Sequence, residues 1–281
     1  MAVTIMQIKA LQDRTGAGIM DCKKALIEAD GDEEKAIDIL REKGIAKAAS
    51  KAGRTAAEGL TNIKICDKCG KAVIVEVNCE TDFVSGSPKF REFVDAVTDR
   101  LLEKAPANLE EAKEATQDLF TDAVVAMREN FVLRRFEIIK AAEGQAFGSY
   151  MHMGGKISAL VLLSKDAGEV NRGLAMTVAS AAPYYLTLAD VPASDKERET
   201  NLAQKEVDDD PKLQAKPEQI RKQIVERKVA SRLGENCLSA KAYALDPEGK
   251  LPVSELCKNK GIEVVKFVRY MVGDGIEKTA E

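Results

Sequence analysis

Few residues in this sequence could do chemistry, and they are scattered. There is one histidine, His152, and six cysteines stand at 22, 66, 69, 79, 237 and 257. A thiol becomes a useful nucleophile beside a base, so Cys79 with His152 is a candidate pair. Nothing local marks either as activated, and the simpler reading packs Cys79 at a strand end as a small hydrophobe. Cys66-Asp67-Lys68-Cys69 has metal-ligand spacing. A structural zinc site takes four ligands, however, and no second such pair follows. "CDKCGK" between two apolar runs reads more simply as a hairpin turn, its thiols reduced if the compartment is cytosolic. Glu80 and Asp82, at i and i+2 of an extended segment, would share a face and could hold a cation, but no other oxygen ligands gather beside them. No phosphate loop and no dinucleotide fingerprint is present. The residues therefore predict a protein that is not an enzyme, needs no cofactor and no metal, and acts by binding another macromolecule.

The segment that best fits such binding is "VNCETDFV", residues 77–84. An apolar run carrying Val73, Val75 and Val77 delivers the chain to Thr81, Asp82, Phe83 and Val84, with "SGSP" next. Asp82 and Phe83 favour opposite solvents. The plain reading makes Asp82 a turn residue and Phe83 a core aromatic. The sharper one holds both out for a partner.

Composition narrows the partner. A net charge of −4 argues against general affinity for nucleic acid or anionic membranes, and no apolar stretch approaches the length of a membrane span. The amino terminus reads as the start of a helix and not as a signal peptide, which makes a cytoplasmic address the expectation. One basic stretch, "AKAASKAGR", places Lys47, Lys51 and Arg54 on one helical face. It is read as a solvated helix end or as a contact for an acidic partner.

The elements that must position these residues follow from periodicity. Ile5, Ile8 and Leu11 mark one short helix, and Ile19, Cys22 and Leu26 a second. A third is capped by Asp32, carries Glu33 and Glu34 in its first turn, and is expected to stop at Gly44. Together they resemble the ubiquitin-associated type of three-helix module, with residues 45–56 as a helical or flexible connection. "GLTNIKI" and "KAVIVEVN" form a hairpin. "PKFREFVDAVTDRLLEKAP" is a helix, "NLEEAKEATQDLF" and "TDAVVAMREN" two more, and "NFVLRRFEIIKA" a strand. Strand, glycine turn, apolar strand and helix then recur from "AFGSYMHMGG" to "AMTVASAAP", as a duplicated unit would. A polar stretch follows with two helical patterns, and "GIEVVKFVRYMVGDG" supplies a last strand. "GIEKTAE" is too short for a further helix.

The predicted fold class is α+β: a three-helix module over 1–55, a duplicated core with antiparallel sheets over 56–140 and over 141–191 with 235–281, and an inserted coiled-coil-like helical hairpin over 192–234. Whether that hairpin makes a homodimer, a 2:2 complex or only an arm is open at this level.

Several motifs carry a resemblance. "LQDRTGAGIMDCKKALIEADGDEEKAIDILREKGIAKAASKAGRTAAEG", "VEVNCETDFV", "REN…RR", "GSYMH", "AMTVAS" and "GIEVVKFVRYMVGDGIEK" occur in the order found in the bacterial elongation factor Ts family, over nearly the whole chain. The resemblance implies a guanine-nucleotide exchange factor for the GTPase elongation factor Tu, with no direct nucleic-acid or membrane partner. It implies that Asp82 and Phe83, flanked by Thr81 and Val84, wedge beside the magnesium and nucleotide site. Met20 and Lys23 would grip a helix near the guanine side, and Met127, Arg128 and His152 would press on the GTPase from the second unit. Arg128 stands where the family pattern has glycine.

Overall fold

In the computed structural model residues 3–277 are described, apart from the side chains at 47 and 49. Three helices open the chain: α1 (Ile5–Thr15), α2 (Ile19–Glu28) and α3 (Glu33–Lys51). Thr4 and Gln7 form a reciprocal cap on α1, Gly16 ends it at φ 65°, and Asp32 accepts from the Lys35 amide to start α3. Their core is Ile8, Leu11, Cys22, Ala25, Leu26, Ala36 and Leu40. Ile5 and Ile19 lie outside it, exposed, against expectation. Helices this short cover only a narrow stripe of one another, and the later residues on each stripe fill it.

Gly44 does not stop α3, which runs seven residues further to Lys51. Its role is close approach to α6 (Leu109–Met127): a Cβ there would lie 2.5 Å from Val125 Cγ2 and 3.3 Å from Thr121 Cγ2. Of the two readings of the connection, the helical one holds for residues 45–51. Arg54 falls beyond the helix end, so the proposed basic face is not continuous, and the Lys47 side chain lies outside the described residues.

The helices lead into β1 (Glu58–Cys66), β2 (Lys71–Cys79), the single turn α4 (Asp82–Ser85), α5 (Pro88–Lys104), α6 and β3 (Val132–Lys140). β2 is central, antiparallel to both neighbours, with Glu58 opposite Cys79 and Lys71 opposite Lys140. Val73, Val75 and Val77 pack with Phe90, Phe93 and Phe131, whose rings lie within 6.0 Å of one another. One helix, α6, replaces the two expected over 109–127. Thr121, at the expected break, donates its hydroxyl to the Gln117 carbonyl at 2.9 Å and stays within the helix.

The turn between β1 and β2 is a short 3₁₀ segment over Asp67–Cys69 closed by Gly70 at φ 58°. Cys66 and Cys69 are joined there by a disulfide, which overturns both the reduced pair and the zinc reading. Each sulfur is committed to the other, and no group of metal-ligating side chains occurs among the described residues.

The remaining elements are β4 (Ala146–His152), β5 (Ile157–Leu163), α7 (Glu169–Ala181), α8 (Ala193–Asp209), the single turn α9 (Pro211–Gln214), α10 (Glu218–Gly234), α11 (Val253–Lys260) and β6 (Val264–Met271). The sheet order β4-β5-β6 gives a second three-stranded sheet, so the molecule is α+β as expected. α8 and α10 form the helical hairpin around Ala203, Val207 and Val225, with Glu206 bound to Lys228 and Arg232. No described helix is long and apolar enough to cross a membrane. The expectation that "GIEKTAE" forms no helix falls largely outside the described residues.

Two compact units account for the chain. The first holds residues 1–140, 151–158 and 270–281, and the second 141–150 and 159–269.

Candidate functional site: a braced acid–aromatic turn

Strand β2 ends at Cys79, whose thiol is buried and donates to the Thr81 carbonyl at 3.3 Å. The next residues leave the extended conformation. Thr81 caps a single helical turn by accepting from the Val84 amide at 3.3 Å. Thr81 and Val84 are three apart on that turn and share its inner side. Val84 packs on the sheet core and Ser85 is buried. Asp82 and Phe83 are left on the outer side, where Phe83 is 88% exposed. The acid–aromatic pair thus sits on a helical turn, in place of the extended segment expected.

A one-turn helix cannot hold itself, and the chain supplies a brace. Glu129, just past the end of α6, accepts the Glu80 and Thr81 amides at 3.0 and 3.1 Å on one oxygen and the Thr81 hydroxyl on the other. Glu80 in turn accepts the Asn130 amide at 2.7 Å and lies 3.3 Å from the Arg54 guanidinium. Asn130 returns a bond to the Arg54 carbonyl at 2.9 Å. These bonds overturn the cation reading of Glu80 and Asp82, since Glu80 is consumed internally and the two no longer share an extended face. They also account for Arg54, and Lys51 likewise donates to the Arg128 carbonyl.

The other residues singled out from sequence are placed around this turn, all in the first unit. Arg128 caps α6 at φ 60°, a conformation that favours glycine. Its guanidinium lies over Gly18 and pairs with Asp21 at 3.0 Å, tying α6 to the start of α2. Met20 and Lys23 flank Asp21 on that helix and are exposed. Met127 is half-buried against the first core. Met127 and Arg128 thus belong to the first α+β half and not to a second one, because the continuous α6 carries them back to the first sheet.

His152 ends β4 and is exposed between two exposed methionines, Met151 and Met153. Its carbonyl accepts the Gly155 and Lys156 amides, each at 3.1 Å. Lys156 then reaches Glu58 at 3.0 Å, the Gly59 carbonyl at 3.2 Å and the Ser85 hydroxyl at 3.2 Å. A continuous set of polar contacts therefore runs from Asp21 through Arg128, Glu129 and Thr81 to α4, and through Lys156 to the His152 turn.

Burial pushes the Cys79 thiol up to about 12, with the Glu129 carboxylate adding to the effect. At neutral pH it is a protonated thiol, unsuited to nucleophilic chemistry.

Glu129 and Lys156 were not singled out from sequence, and Arg54 was read only as part of a basic helical face, not as a partner of Glu80. Glu129 lies inside "REN", a quoted motif, yet nothing in the spacing of residues 80 and 129 reveals their contact.

Fold and surface together define a class: an α+β protein with a leading three-helix module, a helical hairpin, and an acid–aromatic pair held outward on a tied-down turn. The family model described as Elongation factor TS matches residues 80–274, well over half of the chain. The chain belongs to the elongation factor Ts family, translation elongation factors of protein biosynthesis concerned with nucleotide exchange. Membership implies binding to elongation factor Tu.

Proposed function

We propose that this chain binds elongation factor Tu carrying GDP and speeds release of that GDP in the cytoplasm, with Asp82 and Phe83 inserted beside the magnesium and nucleotide site. The observation that carries the reading is the exposure of Phe83 on a turn whose neighbours on both sides are anchored. Moving a phenylalanine side chain from water to a protein pocket is worth about 1.5–3 kcal/mol. Here little of that gain is lost to ordering, because the turn is already held.

Exchange needs no covalent step, and the chain acts as a binding factor and not as an enzyme. A partner that binds the nucleotide-free GTPase better than the GDP form must, by linkage, lower affinity for GDP by the same factor. An aromatic wedge supplies contact area at low entropic cost. A carboxylate beside a site built around a cation perturbs the charges that hold the diphosphate. Met20 and Lys23 contribute a second contact from α2, and His152 a third from the end of β4. Arg128 acts at the junction, holding α2 against α6. Met127 supports that junction from its half-buried position.

The test is release of fluorescently labelled GDP from purified elongation factor Tu with and without the full chain. Acceleration supports the reading. Binding with unchanged release would instead assign the chain to a non-exchanging partner role.

A further inference from the structure

The hairpin tip between β1 and β2 lies outside the network described above. β2 separates it from Asp82 by nine residues, roughly 30 Å of strand at about 3.3 Å per residue. We infer that Cys66 and Cys69 form a reversible dithiol–disulfide site at this tip, with Cys66 as the attacking thiolate and a low-molecular-weight disulfide of the glutathione type as oxidant. The inference stands apart from the exchange reading and draws on none of its residues.

Four observations carry it. The two sulfurs are joined across a turn in which Cys69 is exposed and Cys66 partly so. The Cys69 amide donates to Cys66 Sγ at 3.2 Å, a contact that in the reduced form favours negative charge on that sulfur. Positive charge gathers here: Lys68 is in the turn beside Asp67, Lys71 stands opposite Cys66 in the hairpin, and Lys140 stands opposite Lys71. Lys64, on the strand before Cys66, is paired with Asp99. The remaining cysteines make the contrast: Cys22, Cys79 and Cys237 are buried, Cys257 is partly buried, and burial pushes all four thiols up. Thiolate character and access therefore coincide only at the tip.

The reaction balances in two displacements. The Cys66 thiolate attacks one sulfur of the small disulfide, forming a mixed disulfide and expelling one small thiolate. The Cys69 thiolate then attacks Cys66 Sγ, closing the 66–69 bond and expelling the second. Two protein thiols lose two electrons and two protons, and the small disulfide becomes two thiols. An excess of small thiol reverses both steps.

The experiment uses the full chain, reduced and desalted, with peptide mapping by mass spectrometry. Under limiting iodoacetamide, Cys66 is expected to be modified about tenfold or more faster than any buried cysteine, and faster than Cys69. Oxidised glutathione should remove two hydrogens from the 66–69 peptide and protect both residues from alkylation, and dithiothreitol should restore them. In Cys69→Ser the adduct should stop as glutathione on Cys66. Failure of the 66–69 bond to form, faster reaction at Cys69, or a stoichiometric zinc that blocks alkylation of the reduced chain would each overturn the inference. The wild-type mapping needs no variant to fold.

Discussion

Glu129 holds Thr81 at two points and Glu80 at a third, its carboxylate accepting the amides of Glu80 and Thr81 and the hydroxyl of Thr81. A carboxylate forty-eight positions away in the chain thereby fixes the direction in which Phe83 points. Removing it should have two separable effects. Glu129→Ala leaves two amides and a hydroxyl short of a charged acceptor, so urea unfolding should show a loss of about 2 kcal/mol. GDP release should slow as well, because the turn loses its fixed orientation, while Glu129→Gln should recover part of both.

Gly44 offers a test of packing alone. A methyl group there would meet Val125 Cγ2 at 2.5 Å, so α3 and α6 must move apart. Gly44→Ala should lower stability by about 1–3 kcal/mol despite the better helix propensity of alanine, measured as a fall in the denaturation midpoint. An unchanged or raised midpoint would show that the two helices do not meet there.

Glu76 is fully buried in β2 and is bonded to Arg134 at 2.8 Å, Arg135 at 2.6 Å and the Gly273 amide at 2.8 Å. Breaking a buried ion cluster on one side leaves uncompensated charge, here two guanidinium groups. Glu76→Gln should therefore cost about 3 kcal/mol in denaturant unfolding. Hydrogen exchange at Gly273 should rise in the same variant, since that amide exchanges a carboxylate acceptor for a weaker neutral one.

The helical hairpin should be acid-sensitive. Hydrogen bonds from Lys228 and then Arg232 lower the Glu206 carboxyl to about 2. A depressed carboxylate contributes stability that is present above its unfolded value of about 4.3 and lost as pH falls through the folded one. Amide exchange in α8 and α10 should accordingly quicken between about pH 4.3 and pH 2, less so in high salt, which screens exposed pairs. Glu206→Gln should remove that step from the pH profile.

How much of this was legible beforehand depends on the range of the interaction that decides each feature. Helices with near neighbours at i+3 and i+4 and hairpins with turn chemistry announce themselves, and the α+β class followed from them. Gly44 misled because a helix-ending glycine and a close-packing glycine look alike until the facing helix is known. The division expected within residues 109–127 failed similarly, since Thr121 can satisfy its hydroxyl inside a helix. The pairing of an acid with an aromatic after an apolar strand left Phe83 open to a core or an exposed reading, and the family resemblance made exposure the expectation. Its brace was not legible, because Glu129, Lys156 and Arg54 reach the turn from distant parts of the chain, and only the folded backbone brings them there.

The central claim is that Phe83, held outward, is what the GTPase feels. The direct measurement is stopped-flow release of labelled GDP from elongation factor Tu with the wild-type chain and with Phe83→Ala. Because Phe83 is exposed, its loss should change stability by no more than about 0.5 kcal/mol, verified by thermal unfolding. Exchange should fall by about tenfold or more, the equivalent of about 1.4 kcal/mol of differential binding. A folded Phe83→Ala protein that releases GDP as fast as the wild type would contradict the central claim.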